Sequence, residues 1–268
     1  MTIVQAIILA IVEGITEFLP ISSTGHMALA SAILGIGKEN FTKLFIENIQ
    51  FGTIISVIIL YWRKFFDFKK LKFYLKLIIA VLPAIIVGLL LKKHIDEVLG
   101  QPLFISIVML LGGIVLLFVD SWFKHPIIDI DEKITYKNSF IIGIFQLLSI
   151  IFPGFSRSAA TIIGGMQQKL TRKAAAEFSF FLAVPTLAGA FAYSLFDTYK
   201  KNPGLLTVHN IQILALGNFV GLLIAIFAIK GFITYLTKHG FKIFGYYRIV
   251  VGLILVILFF TGHSITIN

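Results

Sequence analysis

The sequence has no cysteine, and that absence removes disulfides, thiolate metal sites and a cysteine nucleophile at once. It is also poor in charge: 13% of its 268 residues are Asp, Glu, Lys or Arg, against about 25% in an ordinary soluble domain. Acidic residues are the scarcer sign, 13 against 23 Lys and Arg, and no basic residue precedes Lys38. A cleavable signal peptide is therefore not expected, because residues 1–11 lack a positively charged start and the apolar run soon carries Glu13 and Glu17. What is abundant is apolar: 58% of the chain is hydrophobic, Phe alone occurs 27 times, and mean hydropathy is +0.96. These values exclude a soluble globule, a disordered chain and a fibrous repeat, and leave an all-α polytopic membrane protein. The net charge of +10 would suggest nucleic acid in a soluble protein. Here the cations sit between apolar runs, so membrane topology accounts for them and no nucleic-acid partner is expected.

Spanning a bilayer takes about 20 apolar residues, and six stretches come close: 43–62, 77–95, 103–122, 176–197, 211–230 and 247–263. Two further stretches, 3–36 and 138–167, are broken in the middle by Pro20-Ile21-Ser22-Ser23-Thr24-Gly25 and by Pro153-Gly154-Phe155-Ser156-Arg157-Ser158. Half-helices of about 13 residues reach only about 20 Å, so each broken stretch is expected to be a re-entrant helical hairpin. An offset of 133 aligns Pro20 with Pro153, Ser23 with Ser156, Glu13 with Gln146, and Val87-Gly88-Leu89-Leu90 with Val220-Gly221-Leu222-Leu223. The expectation is one membrane domain over 1–268 made of two repeats, 1–122 and 138–268, each a hairpin followed by three transmembrane helices. Three crossings invert the second repeat relative to the first, the arrangement in which sites form near the midplane where broken helices meet.

Charge orients this plan. With the N-terminus outside, the loops near 62–76, 123–137, 168–173 and 230–248 carry 6, 3, 3 and 4 Lys or Arg, while those near 37–43, 92–101 and 197–210 carry 2 each. The basic side is the cytoplasmic one. Arg157 falls in no loop and reads as the only intramembrane arginine among four.

Ionisable groups at membrane depth cost at least about 2.5 kcal/mol on insertion scales and mark function by default. Glu13 and Glu17, four apart, share a helix face. Two such carboxylates in low dielectric must share a proton or a cation. Mg²⁺ or Ca²⁺ suits them, taking further oxygens from a substrate phosphate; the alternatives are protonated carboxyls bonded to neighbouring helices, or a proton relay. Ser22-Ser23-Thr24 has the character of a helix N-cap, which satisfies orphan amides and also prepares an anion site. A hydroxyl there can be a phosphoryl acceptor if a base is close. His26, three residues beyond Ser23, is the candidate base; the alternative is a structural histidine. Arg157 offers a planar fork matched to phosphate or carboxylate, or a structural ion pair with Glu13 or Glu17. Ser156, Ser158 and Thr161 surround it with donors, and Gly154 permits close backbone approach. His94, His125, His209, His239 and His263 fall in loops or at the terminus and are expected to be solvated. Together these groups suit a polyanionic head group such as a diphosphate, and a pocket embedded among spans suits a lipid-linked one.

The segments Glu13-Gly14-Ile15-Thr16-Glu17-Phe18-Leu19-Pro20-Ile21-Ser22-Ser23-Thr24-Gly25-His26 and Pro153-Gly154-Phe155-Ser156-Arg157-Ser158-Ala159-Ala160-Thr161 strongly resemble the two signature motifs of the bacterial undecaprenyl-diphosphate phosphatases, the bacitracin-resistance family. Ile49-Gln50-Phe51-Gly52 and the run from Glu177-Phe178-Ser179-Phe180 to Pro185 extend the resemblance over nearly the whole chain. The family pattern puts Glu directly after Phe45, where this chain has Ile46 and then Glu47. The resemblance implies hydrolysis of undecaprenyl diphosphate, dependent on a divalent cation, at the outer face of the plasma membrane, with roles in cell-wall synthesis and bacitracin resistance. It implies Glu13 and Glu17 as metal ligands, and Arg157 with Ser156 and Thr161 gripping the phosphates. Ser22, Ser158, Gly154 and Gln50 would contact substrate, and Ser23 with His26 would act as nucleophile and base, with attack by a positioned water equally open. The partners expected are a polyprenyl diphosphate lipid and the membrane, and a homodimer is compatible with such a chain. Two other classes compete: a carrier-lipid flippase using the same inverted-repeat pocket, and an acid-phosphatase-type lipid phosphatase, whose paired histidines are absent.

Overall fold

The computed structural model describes residues 1–261 apart from the side chains of His94 and Asp96, so His263, the expected end of the sixth span at 263 and the His94 side chain lie outside the described residues. Six helices are long and apolar enough to cross a membrane: α3 (Asn40–Leu60), α5 (Leu71–Leu90), α7 (Pro102–Trp122), α10 (Arg172–Lys201), α11 (Val208–His239) and α12 (Lys242–Phe260). Between them lie α1 (Ile3–Thr16), α2 (Ser23–Ile33), α4 (Trp62–Phe65), α6 (Lys92–Leu99), α8 (Tyr136–Ile151) and α9 (Arg157–Gln167). Among the described residues the only β-type pairing is an isolated bridge between Ile128 and Leu170. Hydropathy located the spans but not their ends. The second begins at Leu71 rather than 77, the fifth runs on to His239, the sixth starts at Lys242, and the expected loop 92–101 holds α6. A helix continues through charged residues when nothing breaks it, whereas apolarity fades where the membrane does.

The two broken stretches fold as short helix pairs. At 1.5 Å per residue, α1 and α8 reach about 21 and 24 Å and α2 and α9 about 16 Å, too short to cross. Each pair returns to the end it started from. Gln5 on α1 donates from Nε2 to the Leu34 carbonyl after α2 (3.3 Å), and Asn138 on α8 donates from Nδ2 to Gln168 after α9 (3.1 Å). Thr2 and Thr135, 133 apart, open α1 and α8 with matching capping boxes.

Helix α1 packs on α11 and α8 on α5; α3 lies along α10 and α11, α9 sits against α8 and α10, and α7 runs along α12. Where α7 crosses α12, Gly113 and Gly245 let the backbones approach to a distance no Cβ would tolerate. The core is aromatic, with Phe18 set edge-on against Phe180 at 5.2 Å and Phe178, Phe181 and Phe232 buried around them. Large apolar side chains such as Leu89, Phe219 and Phe227 stay exposed on the outside of the spans, as a lipid-facing surface requires.

Candidate active site

Each break is a proline followed by a serine in a conformation that L-residues avoid. Ser22 has φ 70° and Ser156 φ 80°, a strain of roughly 1–3 kcal/mol at each position. In return each Oγ accepts a hydrogen bond from the amide three residues on, Gly25 (3.4 Å) and Ala159 (3.3 Å), and starts a new helix. The caps stand one residue out of the register expected from an offset of 133. Ser156 corresponds to Ser22, not to Ser23, because Pro153-Gly154-Phe155 is one residue longer than Pro20-Ile21 before its cap. Ser23 therefore matches Arg157, both being first residues of their helices. Gly154 supplies the extra bend at φ 100°, where a Cβ would meet the Ile105 carbonyl.

Both tips face one cavity of about 160 Å³, lined by Glu17, Ser22, Ser23, Thr24, Gln50, Ser149, Gly154, Ser156, Arg157 and Leu187. Glu17 is its centre. Oε2 accepts from Ser23 Oγ (2.6 Å) and Oε1 from Arg157 Nη2 (3.0 Å), so the two first-turn residues bracket one carboxylate. The ion pair weighed for Arg157 is thus formed, with Glu17. Arg157 Nη1 also donates to the Ser179 carbonyl (3.1 Å), while its Nε is buried without an acceptor. The first-turn amides of Ser23, Thr24, Arg157 and Ser158 have no helical carbonyl to meet, and two helix N-termini add positive potential to the same space.

Glu13 is fully buried beside Glu17, and neither of its oxygens receives a donor. Two expected contacts with substrate sit outside the cavity. Ser158 donates to the Leu19 carbonyl (2.8 Å), tying one tip to the other, and Thr161 shares a hydrogen bond with Ser179 (2.6 Å); both are fully buried. The structure does not join His26 to Ser23. Its Nδ1 lies 2.7 Å from the Ser22 carbonyl and its Nε2 2.7 Å from the Tyr247 hydroxyl, so both ring nitrogens are occupied. A carbonyl only accepts, hence Nδ1 carries the proton and, in neutral His26, Tyr247 donates to Nε2. Glu47, exposed, accepts from Ser194 (2.6 Å) and lies off the cavity. His125, His209 and His239 are exposed as expected.

The residue that sequence reasoning misplaced is Arg248. Counted among loop cations, it is fully buried, because α12 starts at Lys242 and carries it two turns inward. Arg157 is therefore not the only arginine within the apolar part of the chain. Arg248 donates to the carbonyls of Met109 (3.1 Å), Pro20 (3.2 Å), Phe155 (2.6 Å) and Gly154 (2.9 Å). One guanidinium thus holds the backbones of both breaks, and Gly112 leaves the room it needs. The signal available was the buried face Gly245, Arg248, Gly252, with helical spacing and small residues on either side of the cation. Moving one cation out of the loops leaves the charge asymmetry intact. Thr24, Ser149 and Leu187 are the other cavity residues that the motifs did not point to as contacts.

The donor set fits a hard divalent cation. An orphaned, fully buried carboxylate beside a second one offers only oxygen ligands, and no cluster of three or more His, Asp or Glu exists among the described residues. An ion held here would take two protein carboxylates, with the rest from substrate oxygens and water, the habit of Mg²⁺ in phosphate sites.

A small cavity with two helix N-termini, an arginine and one carboxylate, with Glu13 buried beside that carboxylate outside the lining, has the groups of a phosphate-handling membrane site. Residues 6–254 match the family model described as "Bacitracin resistance protein BacA". Relatives include proteins named undecaprenyl-diphosphatase from Flavobacterium psychrophilum, 52% identical with 100% of both chains covered, and from Porphyromonas gingivalis, 48% identical with 100% of both covered. A third, from Aquifex aeolicus, is 42% identical over 95% of this chain and 97% of its own. The chain belongs to the BacA bacitracin-resistance family.

Proposed function

We infer that this protein hydrolyses undecaprenyl diphosphate to undecaprenyl phosphate and inorganic phosphate, recycling the carrier lipid for cell-wall synthesis and conferring bacitracin resistance. The observation that carries the reading is the convergence of both breaks on Glu17, in a chain similar end to end to proteins named for this activity. At about 160 Å³ the cavity suits a head group and excludes an isoprenoid tail, which stays among the spans.

Glu13 and Glu17 would hold a divalent cation, Mg²⁺ or Ca²⁺, which would screen phosphate charge and supply Lewis acidity. Arg157 and the free first-turn amides grip and orient the diphosphate, the electrostatic and positional help that phosphoryl transfer chiefly needs. Glu17, at 2.6 Å, is placed to take the proton from Ser23 Oγ. Attack of Oγ on the terminal phosphorus then breaks the phosphoanhydride, releases undecaprenyl phosphate and leaves a phosphoserine for water to hydrolyse. In the variant step, a water held by Ser23 and Glu17 attacks directly. His26 braces the first break through the Ser22 carbonyl and Tyr247, and Ser158 with Thr161 fixes the second tip. Purified protein supplied with a divalent cation is expected to release phosphate from a polyprenyl diphosphate, and absence of release overturns the reading. A transporter on the same pocket would release none. Substrate phosphate trapped on Ser23 during turnover assigns attack to Ser23, and residual turnover by Ser23→Ala assigns it to water.

The matching caps and hairpin closures, and the paired contacts of α1 with α11 and α8 with α5, support two inverted repeats. The charge asymmetry supports a plasma-membrane protein with the first hairpin at the outer face and the pocket opening outward. Thr24, part-exposed in the cavity where Ser22 is buried, is the better reporter. Thr24→Cys should react with a membrane-impermeant thiol reagent on intact cells; reaction only in inverted vesicles overturns the orientation.

A further inference from the structure

A second cavity, of about 440 Å³, lies at the basic end of the bundle, where α7 ends, α9 turns into α10 and α11 stops. Its volume falls in the range of small-molecule pockets, about 300–1,000 Å³. The chain after α7 roofs it and is clasped in place: Ile127 and Ile128 donate to the Lys169 carbonyl (2.8 and 3.0 Å), and Thr171 donates to the Ile128 carbonyl (2.8 Å). Three cations line it, Lys124, Arg172 and Lys173. The one acid, Asp120, is already satisfied, accepting from Arg172 Nε (2.7 Å) through Oδ1 and from the Phe241 amide (2.7 Å) through Oδ2. Lys124 is exposed, and Lys173, also exposed, interacts with Glu177 one turn on. The remaining wall is mixed: Thr171 and Thr237 beside Phe123, Pro126 and the buried Met166 and Leu170. Trp122 and Phe118, both exposed next to it on α7, mark the level of an interfacial aromatic belt.

We propose that this cavity is a second phosphate site, taking the phosphate of a lipid head group from the leaflet on the basic side, independently of the hydrolytic pocket. Basic pockets between spans on that side are suited to anionic head groups, and the exposed Trp122 and Phe118 beside the cavity place it where an anion arrives with acyl chains rather than as free phosphate. The charged groups lie off the proposed active site, so they can be neutralised without touching it.

The test uses the full chain in phosphatidylcholine nanodiscs, dioleoyl phosphatidic acid as probe and native mass spectrometry as readout. The wild type is expected to retain one phosphatidic acid, and Lys124→Gln with Lys173→Gln to weaken retention tenfold or more. Lys69→Gln with Lys72→Gln, two exposed lysines on the same side but outside the cavity, should retain it, and polyprenyl diphosphate hydrolysis should be unchanged in both pairs. Equal retention by the cavity pair overturns the site, and equal loss in the control pair reduces it to diffuse charge attraction. Displacement by inorganic phosphate as readily as by the lipid overturns the lipid source.

Discussion

The two breaks share a backbone plan and divide the chemistry. Both have a proline, a serine cap at positive φ and a new helix aimed at one cavity. The first contributes Glu13, Glu17 and Ser23. In the second, Gln146 and Ile150 stand at the positions matching the two acids, and Arg157 stands opposite Ser23. Gln146 keeps the burial of Glu13 and accepts from Thr186 (3.3 Å), yet its amide nitrogen has no partner. Four carboxylates around one desolvated cavity would repel each other. The two breaks therefore keep one cap geometry, while the acid pair stands at the first and a cation answers it at the second.

Breaking the acidic side should cost most. Glu13→Gln or Glu17→Gln is expected to lower phosphate release by roughly a thousandfold, about 4 kcal/mol of barrier, in protein that still elutes as a folded species. Wild-type turnover with unchanged divalent-ion dependence in either variant would overturn the carboxylate assignment. Next comes the group both breaks share. Arg248→Met leaves the carbonyls of Pro20, Gly154, Phe155 and Met109 without their donor and should destabilise the protein by roughly 3 kcal/mol, read as a lower unfolding temperature in detergent. An unchanged unfolding temperature would show that the tips stand without it.

On the basic side, Arg157→Lys keeps the charge and loses the fork, so activity should fall about tenfold or more, on the order of 1.4 kcal/mol. Near-normal kinetics would make the contact with Glu17 a structural pair only. The smallest effect tests the matched caps themselves: Ser22→Ala and Ser156→Ala should each cost about 1 kcal/mol of stability, and similarly. A clearly unequal pair of thermal shifts would mean that one break is held by its surroundings and the other by its cap.

Local chemistry announced much of this protein. Apolar runs declare spans because a bilayer rewards any long apolar helix, and Pro-Ser breaks declare themselves because proline and an N-cap act within a few residues. Glu17 and Arg157 were legible for the same reason, as ionisable groups with no local excuse for membrane depth. The remainder depended on elements that meet only in three dimensions. Arg248 looked like a loop cation until the start of α12 placed it under both tips, 228 residues from the Pro20 carbonyl it binds. His26 looked like the partner of Ser23 by spacing, and Tyr247 of α12 takes its Nε2 instead. The choice of Glu17 as the hub of Ser23 and Arg157 joins residues 140 apart. Sequence by itself determined that Glu13, Glu17 and Arg157 are driven into the membrane, since that is a matter of solvation; tertiary structure decided that Arg248 joins them and which groups touch, since a buried donor bonds whichever acceptor the packing of distant helices puts within reach.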